Sequence, residues 1–301
     1  MPAASPEPVP YAAQRPPRSE FLDVRGLRYH VRRWGDPQAP ALFMVHGWMD
    51  VSASFQFLVD CLRGDRQVLA PDWRGYGLTA RPGADCYWFP DYVADLDRLL
   101  DRLVPGGPVD LVGHSMGGTV ATLYAGVRPQ RIRRLVNMEG FGLRRSAPED
   151  APQRYRDWLD GLAAGKRMRD YGSRQEVADR LMRNNPRLAP ERALYLAQHW
   201  AAPGSPGRFE VLGDPAHKIV NPILYRVEEV LAIWRQIRAP VLLVTSGDTA
   251  RSHRFIHTDE YRERLLAIRN LSRTEVADAG HMLHHDQPRQ VAALIETFID
   301  G

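Results

Sequence analysis

Gly113-His114-Ser115-Met116-Gly117-Gly118 is the stretch most able to do chemistry. A serine hydroxyl is a weak nucleophile until a neighbouring base takes its proton and a rigid turn presents it. The Gly-x-Ser-x-Gly spacing supplies such a turn. An apolar run, Val109-Asp110-Leu111-Val112, ends at Gly113, and a run of helical character from Thr119 to Ala125 starts at once. Strand, tight turn and helix together make this spacing a nucleophile elbow, in which Gly113 and Gly117 lack the Cβ that would hold strand and helix apart. A phosphate-binding loop would carry a Lys after its glycines, and a dinucleotide site needs a different glycine spacing.

A second turn offers the complementary chemistry. The apolar run Ala41-Leu42-Phe43-Met44-Val45 leads straight into His46-Gly47-Trp48-Met49-Asp50. Acyl transfer puts negative charge on the former carbonyl oxygen, and two pre-aimed backbone N–H groups stabilise it. The amides of Trp48 and of Met116, which directly follows the serine, are assigned as this oxyanion hole. His46 is an alternative base, but a histidine in this loop is better read as shaping it by hydrogen bonding. Asp72, in Asp72-Trp73-Arg74-Gly75-Tyr76-Gly77, precedes the serine and sits where a turn needs a side-chain acceptor, so it is read as structural.

These turns must be carried by a scaffold. Phe21 to Trp34 alternates as a hairpin about Arg25-Gly26, and Val68–Asp72 reads as a strand. Phe89–Leu103 is an amphipathic helix with Tyr92, Val93, Leu96, Leu99, Leu100 and Leu103 on one face. Strands at Arg134–Met138, Pro240–Asp248 and Thr274–Ala279 follow, and Pro288–Asp300 closes the chain as a helix. Strands separated by helices predict a doubly wound, mostly parallel α/β sheet. Residues 1–20, rich in Pro and Ala, read as a disordered or polyproline-like tail. The chain is 44% apolar and 25% charged, with a formal charge of +4, and its basic residues are scattered, without the runs or aromatic interleaving of a nucleic-acid surface. Cys61 and Cys86 are too few for a disulfide framework or a zinc site. No stretch has the apolar length of a membrane span, so the expectation is a cytoplasmic protein without stable membrane insertion.

With the His-Gly-Trp turn, the Asp-x-x-Gly-x-Gly turn and Gly-His-Ser-Met-Gly-Gly in that order, the chain resembles the α/β-hydrolases over most of Phe21 to Asp300. His46-Gly47-Trp48-Met49-Asp50 with Ser52-Ala53-Ser54-Phe55 is similar to the kraken and serine-hydrolase-like branch of that family. The resemblance implies a Ser, acid and His triad without a cofactor, and no residue pattern in the chain calls for a metal. It points to His281, in a Gly-His turn after the last strand, as the base. The acid is open between two residues. Most relatives place an Asp three positions beyond a Gly after the seventh strand, which here is Ala250, and Asp248 lies only one beyond Gly247. Glu139, ending the sixth strand, matches the placement in haloalkane dehalogenases and is favoured. His284, His285 and Asp286 could suggest a metal cluster, but read as a surface turn before Pro288.

From 143 to 235 the pattern changes to helices interrupted by Pro and Gly, at Pro152–Gly161, Arg174–Asn184, Pro190–Trp200 and Val227–Arg235. The resemblance makes 143–235 a helical lid on a core of 21–142 and 236–301. Trp158, Tyr195, Trp200, Tyr225 and Trp234 are its candidate pocket residues. The expected function is hydrolysis of a small or medium carboxylic ester, a small-molecule substrate, through an acyl-enzyme. Carbon–carbon bond hydrolysis or cofactor-free oxygenation on the same scaffold, or a non-catalytic ligand-binding module, are the alternatives.

Overall fold

The computed structural model describes residues 9–301. Eight strands form one sheet: β1 (Arg18–Val24), β2 (Leu27–Trp34), β3 (Ala41–Val45), β4 (Gln67–Pro71), β5 (Val109–His114), β6 (Ile132–Met138), β7 (Val241–Ser246) and β8 (Leu271–Val276). Their spatial order is β1-β2-β4-β3-β5-β6-β7-β8. The β1–β2 hairpin turns at Arg25 and Gly26, both at positive φ (53° and 78°), the conformation that matches the right-handed twist of paired strands. β2 pairs antiparallel with β4, and every later pairing is parallel. The register sets Val45 beside Gly113, His114 beside Met138, Met138 beside Val244 and Ser246 beside Val276. The turns after β3, β5, β6, β7 and β8 therefore open on one edge of the sheet, where ligands of open α/β sheets bind.

The central strands are buried on both faces, which is why β3 reads as an unbroken apolar run rather than an alternating one. One face packs on the helices Phe89–Leu103 and Met116–Val127 through Phe43, Val45, Leu69, Leu111, Leu96, Leu99 and Tyr124. The other packs on the helix Pro288–Asp300 through Met44, Val112, Val136, Val291 and Ile295. No helix among the described residues is long and apolar enough to cross a membrane.

Between β6 and β7 the helices Ala151–Ala164, Arg174–Asn184, Pro190–Trp200 and Val227–Trp234 lie where the sequence pattern puts them. Two features differ from it. The segment also contains a three-stranded sheet, ordered Asp170–Tyr171, Phe209–Val211, Ala201–Pro203, of strands too short to leave a period in the sequence. The helix Val227–Trp234 belongs to the layer covering the sheet, because its Ile233 closes against Gly126 and Trp234 is buried in the core.

Part of the expected tail, residues 9–20, is held against the fold. The first eight residues lie outside the described ones, but β1 starts at Arg18, and residues before it are held in place. The Tyr11 hydroxyl donates to Asp60 Oδ2 (2.9 Å), and the amides of Gln14 and Arg15 donate to the same carboxylate. The Tyr11 ring packs edge-on against Phe57 and Tyr195. One aromatic anchor and one acceptor of three hydrogen bonds outweigh the proline content.

The elbow depends on the glycines. A Cβ on Gly113 would lie 2.5 Å from the Gly117 carbonyl oxygen, and one on Gly117 would overlap the Val45 carbonyl. We expect Gly113→Ala to cost about 3 kcal/mol or more, by forcing two close-packed backbones apart. This is measurable as a drop in the urea midpoint at unchanged m; a midpoint equal to wild type would refute the packing argument.

Candidate active site

Ser115 caps β5 with φ 52° and ψ −115°, a strained conformation for a residue with a Cβ. Two backbone bonds over-determine it: its amide donates to the Met138 carbonyl (2.8 Å), and its carbonyl accepts the Thr119 amide (3.0 Å). The hydroxyl stands above the sheet edge, 3.0 Å from Nε2 of His281. Nδ1 of His281 lies 3.1 Å from Oε2 of Glu139. The structure thus brings Ser115, His281 and Glu139 into one chain of hydrogen bonds, although they lie on three different turns.

Glu139 is buried and sits at φ 61° immediately after β6. Its Oε1 accepts the Ser246 amide (2.6 Å), and its Oε2 accepts the Thr249 hydroxyl (2.6 Å) as well as facing His281. Three partners satisfy a carboxylate that burial alone would penalise. Asn137 holds the turn: its Oδ1 accepts the Gly140 amide (2.8 Å), and its Nδ2 donates to the Gly140 carbonyl (2.9 Å). Asp248 is elsewhere. Its carboxylate pairs with Arg187 and with Arg251 (2.7 Å), and the Arg187 hydrogen bond draws its pKa down. A surface ion pair, rather than His281, is what this acid serves.

Two residues fix the turn that carries His281. Nε2 of His114 donates to the His281 carbonyl (2.8 Å), and Oδ2 of Asp286 accepts the Gly280 amide (2.8 Å). His284 and His285 correct the expectation of a surface turn. Both are buried, in the short helix Leu283–Asp286, and their Nε2 atoms face the Ser54 hydroxyl at 3.1 and 2.5 Å. The motif Ser52-Ala53-Ser54-Phe55 supplies that partner from a distant part of the chain, which no local pattern reveals. Burial holds the imidazoles of His114 and His284 well below the usual pKa and that of His285 at about 3.

The loop after β3 also behaves as its sequence suggests. Nδ1 of His46 donates to the Gly47 carbonyl (2.8 Å), and its Nε2 accepts the Trp73 amide (2.9 Å). Both ring nitrogens are therefore committed, and burial lowers the pKa to about 4, so His46 shapes the loop. Asp72 accepts the amide and hydroxyl of Ser52, the Leu78 amide and Nδ1 of His30. Among the described residues no protein acceptor meets the backbone N–H of Trp48 or of Met116.

Ser115 and His281 lie at the junction of two cavities. The larger, about 480 Å³, has aromatic walls of Tyr87, Trp88, Phe89, Tyr92 and Phe141. His217, also in its wall, stacks between Tyr76 and Tyr87 at 3.8 and 3.6 Å and is kept neutral by burial, which lowers its pKa to about 3. The smaller, about 230 Å³, is bounded by Leu181, Leu188, Leu196 and Trp200. Of the five aromatic residues expected to line a substrate pocket, Trp200 lines one of these two cavities, and Tyr225 lines a neighbouring one of about 560 Å³ that does not reach Ser115. Tyr225 stands behind the larger cavity, its ring edge-on to Trp88 and Phe89. Tyr195 is instead buried in a core shared by the insertion with Val51, Ala53 and Phe57, where it donates to Gln56 Oε1 (3.1 Å), and Trp234 is buried on the elbow-helix face of the sheet. Trp158 borders neither cavity and meets Tyr155. The rings sit where helix faces find apolar cover, which sequence spacing alone does not assign to a cavity.

Among the described residues, Asp50, His114 and His284 bring one donor atom each to within 4.8 Å of one another. Asp50 Oδ2, His114 Nδ1 and His284 Nδ1 are buried without a protein partner. Burial raises the Asp50 pKa to about 7. Its folded-state pKa thus exceeds the unfolded value of 3.8, so the folded protein holds the proton more tightly and loses stability as pH rises from about 4 through 7. Asp50→Asn removes this titration. Its melting temperature relative to wild type should climb between pH 5 and pH 8; parallel pH curves would contradict the shift.

The sequence profile of the alpha/beta hydrolase family matches residues 42–294. A serine hydrolase-like protein of Danio rerio is 28% identical over 276 residues, covering 88% of this chain and 83% of its own. A 3-hydroxybutyrate-oligomer hydrolase of Cupriavidus necator is 29% identical over 290 residues, covering 90% and 92%. Among solved structures, the thioesterase domain from the curacin biosynthetic pathway superposes with a TM-score of 0.83 at 25% identity, over 94% of this chain and 99% of that one.

Proposed function

The chain belongs to the alpha/beta hydrolase family, and on that premise we propose that it hydrolyses carboxylic esters through a Ser115 acyl-enzyme. The observation that carries the reading is His281, with one ring nitrogen 3.0 Å from the Ser115 hydroxyl and the other 3.1 Å from Glu139. A similar protein named as a 3-hydroxybutyrate-oligomer hydrolase and a thioesterase neighbour agree with acyl transfer from oxygen or sulfur.

In this mechanism Ser115 Oγ attacks the ester carbonyl carbon while Nε2 of His281 takes the hydroxyl proton. Glu139 keeps the Nδ1–H tautomer in place and stabilises the imidazolium that forms. The N–H groups of Trp48 and Met116 receive the oxyanion. As the tetrahedral intermediate collapses, His281 returns the proton to the alkoxide, which leaves as the alcohol. Water then enters, gives a proton to His281 and attacks the acyl carbon; collapse frees the acid and restores Ser115. The two cavities give the acyl and alcohol portions separate seats, and the insertion between β6 and β7 acts as a lid that keeps bulk water from the acyl-enzyme.

Ser115→Ala should abolish both the burst of nitrophenol from an activated ester and labelling by a fluorophosphonate. Persistence of both sinks the proposal. The acid assignment is tested separately. Glu139→Gln should lower kcat on the order of 10³- to 10⁴-fold, because the histidine tautomer is lost, whereas Asp248→Asn should stay within about twofold of wild type. Steady-state rates with the opposite ranking would reassign the acid.

A further inference from the structure

The larger cavity contains one cation that the hydrolytic scheme does not use. Arg154 is the sole Lys or Arg in its lining, and stands on the helix Ala151–Ala164 among walls that are otherwise mostly aromatic or aliphatic. Its Nε donates to the Asn221 carbonyl at 2.7 Å. Asn221 is itself fixed, since its Oδ1 accepts the Ile223 amide (2.8 Å) and its Nδ2 reaches the Tyr87 carbonyl (3.4 Å). One side of the guanidinium is thus pinned, and the two Nη groups have no hydrogen-bond partner among the described residues. No Asp or Glu there lies within ion-pair distance of Arg154. The other charged residue in the lining, Glu139, is already engaged by Ser246, Thr249 and His281.

This arrangement contrasts with the surface arginines of the chain, such as Arg187, Arg208 and Arg251, which meet carboxylates. A guanidinium held by its Nε and left without a counter-ion beside apolar walls presents two parallel donors in the fork that matches a carboxylate. The walls seat a hydrocarbon segment, and the fork receives a charge at its end. We propose that Arg154 is the anion-binding residue of a substrate subsite, and that the preferred substrates are esters bearing a free carboxylate at the end of the chain seated in the larger cavity. The inference rests on the ester-hydrolase reading above and deepens it by naming the substrate class.

The test uses matched pairs of esters that differ only in whether the distal carboxylate is free or methylated. Mono-4-nitrophenyl adipate and its methyl ester put the charge on the acyl side; 6-acetoxyhexanoate and its methyl ester put it on the alcohol side. Wild-type protein should favour the free carboxylate by about ten- to hundredfold in kcat/KM in one of the two pairs, chiefly through KM. In Arg154→Gln that ratio should collapse towards one, and Arg154→Lys should restore part of it. Arg156→Gln, an exposed neighbour that bonds to Gln153, should keep the wild-type ratio. A wild-type ratio near one in both pairs, or a ratio that survives Arg154→Gln, overturns the inference while leaving ester hydrolysis standing. Calorimetry with catalytically silent Ser115→Ala separates the two readings from the other side. Tighter binding of the free carboxylate by this protein, with no turnover of any ester by wild type, would keep the subsite and reject the hydrolase; no preference in binding or turnover overturns both.

Discussion

The structure depends on how closely three backbones approach beneath Ser115. β3, β5 and the helix that follows β5 meet at Gly113 and Gly117, where an added methyl would overlap carbonyl oxygens. That approach forces the chain to reverse within one residue, and Ser115 takes the positive φ that results. An isolated peptide would relax from it; here the Met138 carbonyl and the first turn of the helix hold it. Pre-organisation of the hydroxyl is thus a property of sheet packing, not of the serine itself.

Around this fixed point the remaining groups are held by polar contacts between distant segments. Glu139 receives the Ser246 amide, the Thr249 hydroxyl and His281, which ties the ends of β6, β7 and β8 together. His114, one residue before the serine, grips the backbone of His281 from below. The Ser115 hydroxyl and the His281 imidazole are therefore referenced to the same dipeptide, and small shifts of either turn are shared by the other.

Much of this was legible in the amino-acid sequence because the physical causes are local. Strand runs such as Ala41–Val45, the helix Phe89–Leu103 and the Gly-x-Ser-x-Gly elbow carry their signals in periodicity or glycine spacing. The acidic partner of His281 was less so, since a Glu at a strand end and an Asp after a glycine are both reasonable neighbours of a histidine. What separates them is that Arg187, far off in the chain, neutralises Asp248. The burial of His284 and His285 depended on Ser54 in the same way. Aromatic residues were the least legible: Tyr195 and Trp234 have the chemistry of a pocket wall but fill two different cores. Arg154 carries no local signal, because an unpaired cation is recognised only from what fails to surround it.

The segment before β1 couples parts of the fold that the chain order keeps apart. Tyr11 donates its amide to the Glu191 carbonyl (2.8 Å), rests its ring on Tyr195 and bonds through its hydroxyl to Asp60. Glu191 and Tyr195 lie on the helix Pro190–Trp200 of the insertion, whereas Asp60 ends the short helix Gln56–Val59 beside the sheet. The segment ahead of β1 is consequently a guy-rope between cover and base: the helix Pro190–Trp200 cannot swing outward without first unlatching a tyrosine that lies far from the turn carrying Ser115.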